Sequence, residues 1–207
     1  CGAPFFARFP TLLDSRRLRQ FNTRVPLDKL TIIGAGLLGG SIGLAARARG
    51  LARRVSALVR RPESLAECQA LGIANEVTLD PAEAVAGADL VVLCTPISGM
   101  AGLAKRTLPD LKPGTVITDV GSTKQQLVAE LTPLCAGAGA RFVGSHPMAG
   151  SDQTGPSAAR ADLFDGTVCV VTPTSDTDAD ALATVNDFWA GLGSRPVVMP
   201  ADTHDRL

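Results

Sequence analysis

The chain has 207 residues, and its 20 basic side chains balance 20 acidic ones, so its formal net charge is zero. This balance excludes the strongly basic surface with which proteins bind nucleic acids or anionic membranes nonspecifically. Hydrophobic residues make up 45% of the chain and charged residues 19%, a composition that supports a full-sized core and differs from that of disordered chains.

The cysteines and the hydropathy of the chain exclude further classes of protein. The five cysteines are an odd number and include no C-x-x-C pair. They fit neither a disulfide framework nor a zinc site, so we predict no metal site and a reducing, cytoplasmic setting. The longest apolar runs, such as Ala88 to Thr95 with Asp89 inside it, are far too short to cross a bilayer.

Residues 1–28 are predicted to form an N-terminal extension. The first thirty residues contain six Arg or Lys, two Asp, and the aromatic residues Phe5, Phe6 and Phe9. Two interpretations are open, an Arg-rich targeting segment or an extension packed on a neighbouring surface. Because the chain begins at Cys1 and not at Met, we favour the packed extension.

From Lys29 onward, short β-branched runs alternate with stretches of helical character, a pattern typical of a parallel sheet covered by helices. The predicted strands are Leu30–Ile33, Val55–Val59, Leu90–Cys94, Val116–Asp119, Arg141–Val143, Val168–Val171 and Val197–Met199. The predicted helices are Leu38–Gly50, Pro62–Leu71, Pro81–Ala86, Gly99–Leu108, Lys124–Ala136 and Asp178–Leu192. The pattern predicts one open, doubly wound α/β domain of Rossmann type over residues 29–200.

The first predicted strand runs directly into a glycine-rich turn and then into a helix. This turn has the sequence Gly34-Ala35-Gly36-Leu37-Leu38-Gly39, a G-x-G-x-x-G motif in the strand–turn–helix context that dinucleotide binding requires. Gly34 allows the tight turn, Gly36 lets the backbone approach a pyrophosphate, and Gly39 permits close helix–strand packing. The first helical turn, with Leu37 and Leu38, offers free N–H groups and the positive end of the helix dipole. The alternative is a glycine-rich turn that binds nothing.

The end of the second predicted strand indicates which dinucleotide is bound. A carboxylate at this position accepts hydrogen bonds from a ribose whose 2′-hydroxyl is free. Val59 stands there instead, 20 residues after Gly39, and Arg60 and Arg61 follow it. Two guanidinium groups suit a 2′-phosphate, so we predict NADP as the cofactor, with NAD less favoured. The alternative is that both arginines form a solvated turn before Pro62.

Other candidate residues follow strands at the same predicted sheet edge. Thr95 and Pro96 end the strand Leu90–Cys94, where Thr95 either hydrogen-bonds the cofactor or belongs to a simple turn. His146, one of two histidines, lies on a predicted loop between Ser145 and a proline. A lone histidine is usually structural, but imidazole suits a general base working near neutral pH, and this position favours that role.

These motifs resemble those of the prephenate/arogenate dehydrogenase family of tyrosine biosynthesis. The matching segments, in the family's order over residues 29–207, are the glycine motif continued by Gly40-Ser41, Ala88-Asp89-Leu90-Val91-Val92 with Thr95-Pro96, Asp119-Val120-Gly121-Ser122-Thr123-Lys124, Gly144-Ser145-His146-Pro147-Met148-Ala149-Gly150-Ser151, and His204-Asp205. Many dehydrogenases share the glycine motif, whereas the His-Pro-Met-Ala-Gly block is much more specific.

The resemblance implies an oxidative decarboxylation of a small-molecule substrate. Hydride would leave C4 of the cyclohexadiene ring for the nicotinamide, and the ring carboxylate would leave as carbon dioxide, which gives a phenol. The resemblance also implies that His146 accepts the proton of the ring hydroxyl and that Ser122 holds the imidazole. Ser145 and His204 are assigned to the substrate pocket on the same ground. Because aromatisation drives the reaction, the protein chiefly supplies positioning and one proton acceptor.

Family members continue beyond the His-Asp pair into an all-helical domain that forms a homodimer and adds substrate contacts. This chain ends at Leu207. We therefore expect residues 201–207 to begin that domain, the remainder to be absent, and this chain to be monomeric or weakly associating. Two alternatives are open: another NADP-dependent dehydrogenase of the β-hydroxyacid or imine-reducing kind, and a catalytically silent nucleotide-binding module.

Overall fold

The computed structural model describes residues 26–207, which form two β-sheets with helices packed on them. The strands are β1 (Leu27–Ile33), β2 (Ala52–Leu58), β3 (Glu76–Thr78), β4 (Leu90–Leu93), β5 (Val116–Asp119), β6 (Arg141–Phe142), β7 (Gly144–Pro147), β8 (Val168–Thr172) and β9 (Arg195–Val198). The helices are α1 (Leu37–Ala48), α2 (Pro62–Ala70), α3 (Pro81–Val85), α4 (Ile97–Thr107), α5 (Gln125–Gly137), α6 (Ala179–Gly191) and α7 (Ala201–His204). Across this described part, no helix has the length and apolar character of a membrane span.

The six-stranded sheet is parallel throughout and has the order β3-β2-β1-β4-β5-β6. This order confirms the predicted doubly wound, Rossmann-type architecture. The chain winds outward in both directions from β1, so the carboxyl ends of β1 and β4 lie at the topological switch point. All four residues of β4 are buried, as expected for a central strand whose sheet is covered by helices on both faces.

Strands β7, β8 and β9 form a second sheet, which corrects the prediction of a single one. Only Val143 separates β6 from β7, and one residue cannot form the crossover that another parallel neighbour would need. Strand β7 instead pairs antiparallel with β8. Gly144 permits this approach, because a Cβ there would lie 2.6 Å from the Thr172 hydroxyl oxygen. His146, predicted on a loop, consequently lies on β7 opposite Val170.

Several predicted boundaries also need correction. Strand β1 begins at Leu27, inside the segment assigned to the extension, whereas residues 1–25 of that segment lie outside the described residues. Strand β3 was missed because it has only three residues, of which the first, Glu76, is exposed. Strand β9 begins at Arg195, two residues before the predicted strand. The Rossmann-type sheet therefore starts earlier along the chain than predicted.

A buried polar cluster joins β5 of the parallel sheet to β7 of the second sheet. The fully buried Asp119 carboxylate accepts from the backbone N–H groups of Gly121 at 2.7 Å and Ser145 at 3.1 Å. It also pairs with the ammonium group of Lys124, which is equally buried and donates to the Ser145 carbonyl at 3.0 Å. The Ser145 hydroxyl donates to the Asp119 carbonyl at 2.6 Å. These contacts fix β7 against the end of β5.

Removing the cation of this cluster should destabilise the fold strongly. Lys124→Met leaves the Asp119 charge buried without its counter-ion, so we expect the free energy of unfolding to fall by about 3–5 kcal/mol. Urea denaturation measures this difference. Lys105→Met, on the exposed face of α4, is the matched control and should change stability by less than about 0.5 kcal/mol. Equal stability of the parent and Lys124→Met would contradict the role of the pair.

Candidate active site

The glycine motif connects β1 to α1 as predicted. Gly34 has a φ of +97°, a conformation that favours glycine, and a side chain at Gly39 would collide with the Gly34 carbonyl oxygen. Gly36 differs, because its φ is −76° and a Cβ there would meet no atom within 4 Å. The fold itself thus requires glycine at positions 34 and 39, whereas the space over Gly36 is open for a ligand to approach the backbone.

The N-terminus of α1 has the chemistry of an anion site. Its N-cap is Gly36, which has no side chain to cap the helix, and the first turn contains no acidic residue. The first-turn backbone N–H groups, including those of Leu37 and Leu38, therefore receive no side-chain cap from the N-cap residue. Unpaired N–H groups together with the helix dipole favour a phosphate at this position.

A cavity of about 530 Å³ opens where the carboxyl ends of β1 and β2 and the start of α4 meet. Pro96 and Thr95 line it, and the buried Thr95 hydroxyl has no hydrogen-bond partner in the described chain. A buried polar atom without a partner is costly, which indicates that a ligand completes the site. The other lining residues are Ile33, Gly34, Leu58, Val59, Arg60, Leu79, Pro81, Ser98, Gly99, Leu103 and Arg106.

Two arginines line this cavity, but they are not the predicted pair. Arg60 does so, whereas Arg61 serves as the N-cap residue of α2 and lies outside the cavity wall. The second cation is Arg106, which the sequence reasoning missed. It follows Gly99 and Leu103 at a spacing of four and then three, so the three share one face of α4. Neither Arg60 nor Arg106 forms an ion pair with any residue of the described range.

The two histidines of the chain meet each other. His146, half-buried on β7, has its Nδ1 2.9 Å from Nε2 of His204, which is buried at the end of α7. The rings are nearly perpendicular, with centroids 5.1 Å apart. On its other side, Nδ1 of His204 lies 2.7 Å from a carboxylate oxygen of Asp205. The structure therefore brings two predicted site residues together and adds an acid that was not predicted as a site residue.

Burial lowers the pKa of His146 to about 4. The neighbouring His204 ring and the buried Lys124 ammonium group act in the same direction, whereas the Asp205 carboxylate opposes it. His146 is consequently neutral at pH 7 and has a ring nitrogen free to accept a proton.

The two predicted serines lie in different surroundings. Ser122 is exposed between β5 and α5 and makes no hydrogen bond to His146, whose ring is held by His204 instead. Ser145 was predicted to contact substrate but is fully buried. Its hydroxyl donates to the Asp119 carbonyl and lies 2.9 Å from the indole N–H of Trp189, which donates to it. Ser145 therefore joins the end of β5, strand β7 and helix α6.

Asp205 links the histidines to α5. Its two carboxylate oxygens accept from the backbone N–H groups of Lys124 and Gln125, each at 2.8 Å, at the start of that helix. Lys124, the N-cap residue of α5, provides no side-chain cap of its own. Sequence reasoning missed this contact because Lys124 and Asp205 are 81 positions apart. The signal in the sequence is that no residue suited to capping stands at the N-cap position of α5, which indicates that a distant side chain caps this helix.

Comparisons with known proteins agree with this geometry. The family model described as "Prephenate dehydrogenase, nucleotide-binding domain" matches residues 42–198. The chain belongs to this family. Cyclohexadienyl dehydrogenase of Zymomonas mobilis is 35% identical to it over 178 residues, which cover 86% of this chain and 60% of the relative. Among four curated relatives the share covered is 46–60%, so the chain spans about half their length.

Two solved structures of enzymes from this family superpose closely on the chain. One is prephenate dehydrogenase of Aquifex aeolicus in complex with hydroxyphenyl propionate and NAD+, with a TM-score of 0.81, 30% identity, and coverage of 87% of this chain and 63% of that one. The other is arogenate dehydrogenase of Synechocystis, with a TM-score of 0.80, 28% identity, and coverage of 86% and 62%.

The low pKa of His146 makes the stability of the chain depend on pH. The ordinary pKa is 6.5 and the folded value is about 4, so between these values the unfolded state binds more protons. The free energy of unfolding should therefore fall as the pH falls from about 6.5 to about 4. Urea denaturation across this range should give a shallower dependence for His146→Gln than for the parent. Identical slopes would show that His146 does not carry the effect.

Proposed function

We propose that this chain is the dinucleotide-binding part of an enzyme that oxidatively decarboxylates prephenate or arogenate, giving 4-hydroxyphenylpyruvate or tyrosine. The observation that carries the proposal is the neutral, half-buried imidazole of His146 within a chain of the prephenate dehydrogenase family. The relatives support the substrate class, since they are named prephenate, arogenate or cyclohexadienyl dehydrogenases. The phenolic acid bound to the Aquifex enzyme belongs to the same chemical class as the proposed products.

The cavity residues suit a nicotinamide dinucleotide, which would supply the hydride acceptor when bound. Three observations support the fit: open space over Gly36, backbone N–H groups at the start of α1, and the unpartnered hydroxyl of Thr95. Leu79 and Leu103 give the cavity apolar walls suited to an adenine ring. We assign the binding to the glycine motif, Thr95, Pro96 and the cationic side chains of the cavity.

NADP is the proposed form of the cofactor. At the end of β2 a buried Val59 stands where a carboxylate would bind a free 2′-hydroxyl. Arg60 and Arg106 line the same cavity, and neither forms an ion pair with an acidic residue of the described chain. A 2′-phosphate would neutralise both through charge-assisted hydrogen bonds.

The proposed contribution of His146 is to accept the proton of the substrate's ring hydroxyl as the ring becomes aromatic. A neutral imidazole can do this at pH 7, and its low pKa lets it release the proton readily afterwards. Aromatisation supplies the driving force, so a weak base in the right place is sufficient. His204 holds the ring of His146 in position through the 2.9 Å contact.

Cofactor choice can be tested by titrating the chain with NADP and NAD. Loss of one charge-assisted hydrogen bond costs about 1.5–3 kcal/mol, so Arg60→Ala and Arg106→Ala should each raise the Kd of NADP about 10- to 100-fold. NAD binding should change little. Arg61→Ala is the matched control and should leave both affinities near the parent's. If NAD binds the parent as tightly as NADP, the proposed preference is wrong.

Catalysis can be tested with His146→Asn in the full-length gene product. Asparagine keeps hydrogen-bonding capacity but cannot act as the base, so kcat should fall by about 10²- to 10⁴-fold while NADP affinity stays nearly unchanged. Ser122→Ala should cost much less, because the contact at Nδ1 of His146 comes from His204. Near-parental turnover of His146→Asn at neutral pH would place the base elsewhere.

A further inference from the structure

We infer that Asp205 is a positioning residue that acts through His204 to leave Nε2 of His146 as the proton-accepting atom. The inference rests on the proposed function, in which His146 is the base. It is carried by three side chains in a row, Asp205, His204 and His146, which we call the histidine relay. Their polar atoms lie 2.7 Å and 2.9 Å apart at the two successive contacts.

The contacts determine where the protons of the relay reside. A carboxylate only accepts hydrogen bonds, so Nδ1 of His204 must carry the proton in its contact with Asp205. When both rings are neutral, Nε2 of His204 then has a lone pair and accepts from Nδ1–H of His146. Nε2 of His146 is left unprotonated. The carboxylate thus sets the tautomer of a ring that it does not touch.

Asp205 is itself held as an anion. Burial alone would raise the pKa of its carboxyl group, but hydrogen bonds from the Gln125 amide, the His204 ring and the Lys124 amide lower it. The two amides belong to the start of the 13-residue helix α5, whose dipole also favours a negative charge. The far end of the relay is therefore anchored and ionised at neutral pH.

The charged and titratable groups around His146 come from three elements. His204 and Asp205 lie at the end of α7, Lys124 lies at the start of α5, and Asp119, which is paired with Lys124, ends β5. His204 and Lys124 disfavour a positive charge on His146, whereas Asp205 favours it. Removing the Asp205 charge should therefore make His146 a weaker base.

The relay also gives the accepted proton a destination. When His146 takes a proton at Nε2, its Nδ1 proton can pass to Nε2 of His204, which becomes an imidazolium beside the Asp205 carboxylate. One proton is gained at the first ring and one is passed to the second, so the charge moves away from the substrate side. Asp205 stabilises the positive charge at its new position.

Nuclear magnetic resonance of the imidazole nitrogens tests the relay without substrate or cofactor. The chain contains only two histidines, and His146→Asn assigns the remaining signals to His204. In the parent at pH 7 we expect both rings to be protonated at Nδ1. Asp205→Asn, which can still cap α5, should increase the share of His146 protonated at Nε2. Asp202→Asn, on the same short helix, pairs with Arg206 and is the matched control with unchanged spectra.

Steady-state kinetics of the full-length gene product provide the second test. Exchanging the acid for its amide lowers kcat about 10⁴-fold in serine hydrolase triads, where the acid touches the base. Asp205 acts through one further ring, so we expect Asp205→Asn to lower kcat about 10- to 100-fold and KM to change less than about threefold. The acidic limb of the kcat/KM profile should move to lower pH. A purely structural role would not move that limb.

The resonance and kinetic experiments distinguish failure of the histidine relay from failure of the proposed function. Nε2 protonation of His146 in the folded parent overturns the relay, as does an Asp205→Asn variant with parental ring tautomers and a parental pH profile. If Asp205→Asn does not fold, the parental tautomers alone decide the question. A full-length product without dehydrogenase activity on either substrate overturns the proposed function, whereas the tautomer measurement still tests the relay.

Discussion

The buried ion pair between Asp119 and Lys124 constrains everything around the candidate base. Two charges in a dry interior are tolerated only when their hydrogen-bonding groups are satisfied, and here the partners that satisfy them are backbone groups of Gly121 and Ser145. The pair therefore cannot relax without moving β7. Because His146 follows Ser145 on that strand, the position of its ring is set by a pair of charges that never meets a substrate.

The same pair sets the electrostatics of the site. Lys124 lies close enough to His146 to disfavour a charged imidazole, and its own backbone amide begins the helix that binds Asp205. Lys124 thus lowers the pKa of His146, and its amide also holds Asp205, whose negative charge partly offsets that lowering. His146 is therefore neutral at pH 7, and a carboxylate lies two contacts away, where it would stabilise the proton in the proposed transfer.

The sequence predicts the geometry of the glycine-motif turn better than that of the histidine pair. The glycine motif is readable because Gly34, Gly36 and Gly39 act within one turn, through local backbone geometry and steric contact. The sequence predicts a loop at β7, where Gly144 and Pro147 stand at either end, and only pairing with β8 makes the segment a strand. The burial of Ser145 and the anchoring of Asp205 depend on partners far away along the chain. No local pattern encodes such contacts.

The glycine-motif turn and the histidine pair depend on different parts of the fold. The glycine-motif turn depends on β1, on α1 and on the strands β2 and β4 that pair with β1. The proposed base instead depends on a one-turn helix, α7, which is attached to the domain partly by the Asp205 contact with α5. A short helix has little stability of its own, so that contact and the histidine pair stabilise each other. The proposed cofactor binding and the proposed proton transfer therefore draw on separate parts of the structure.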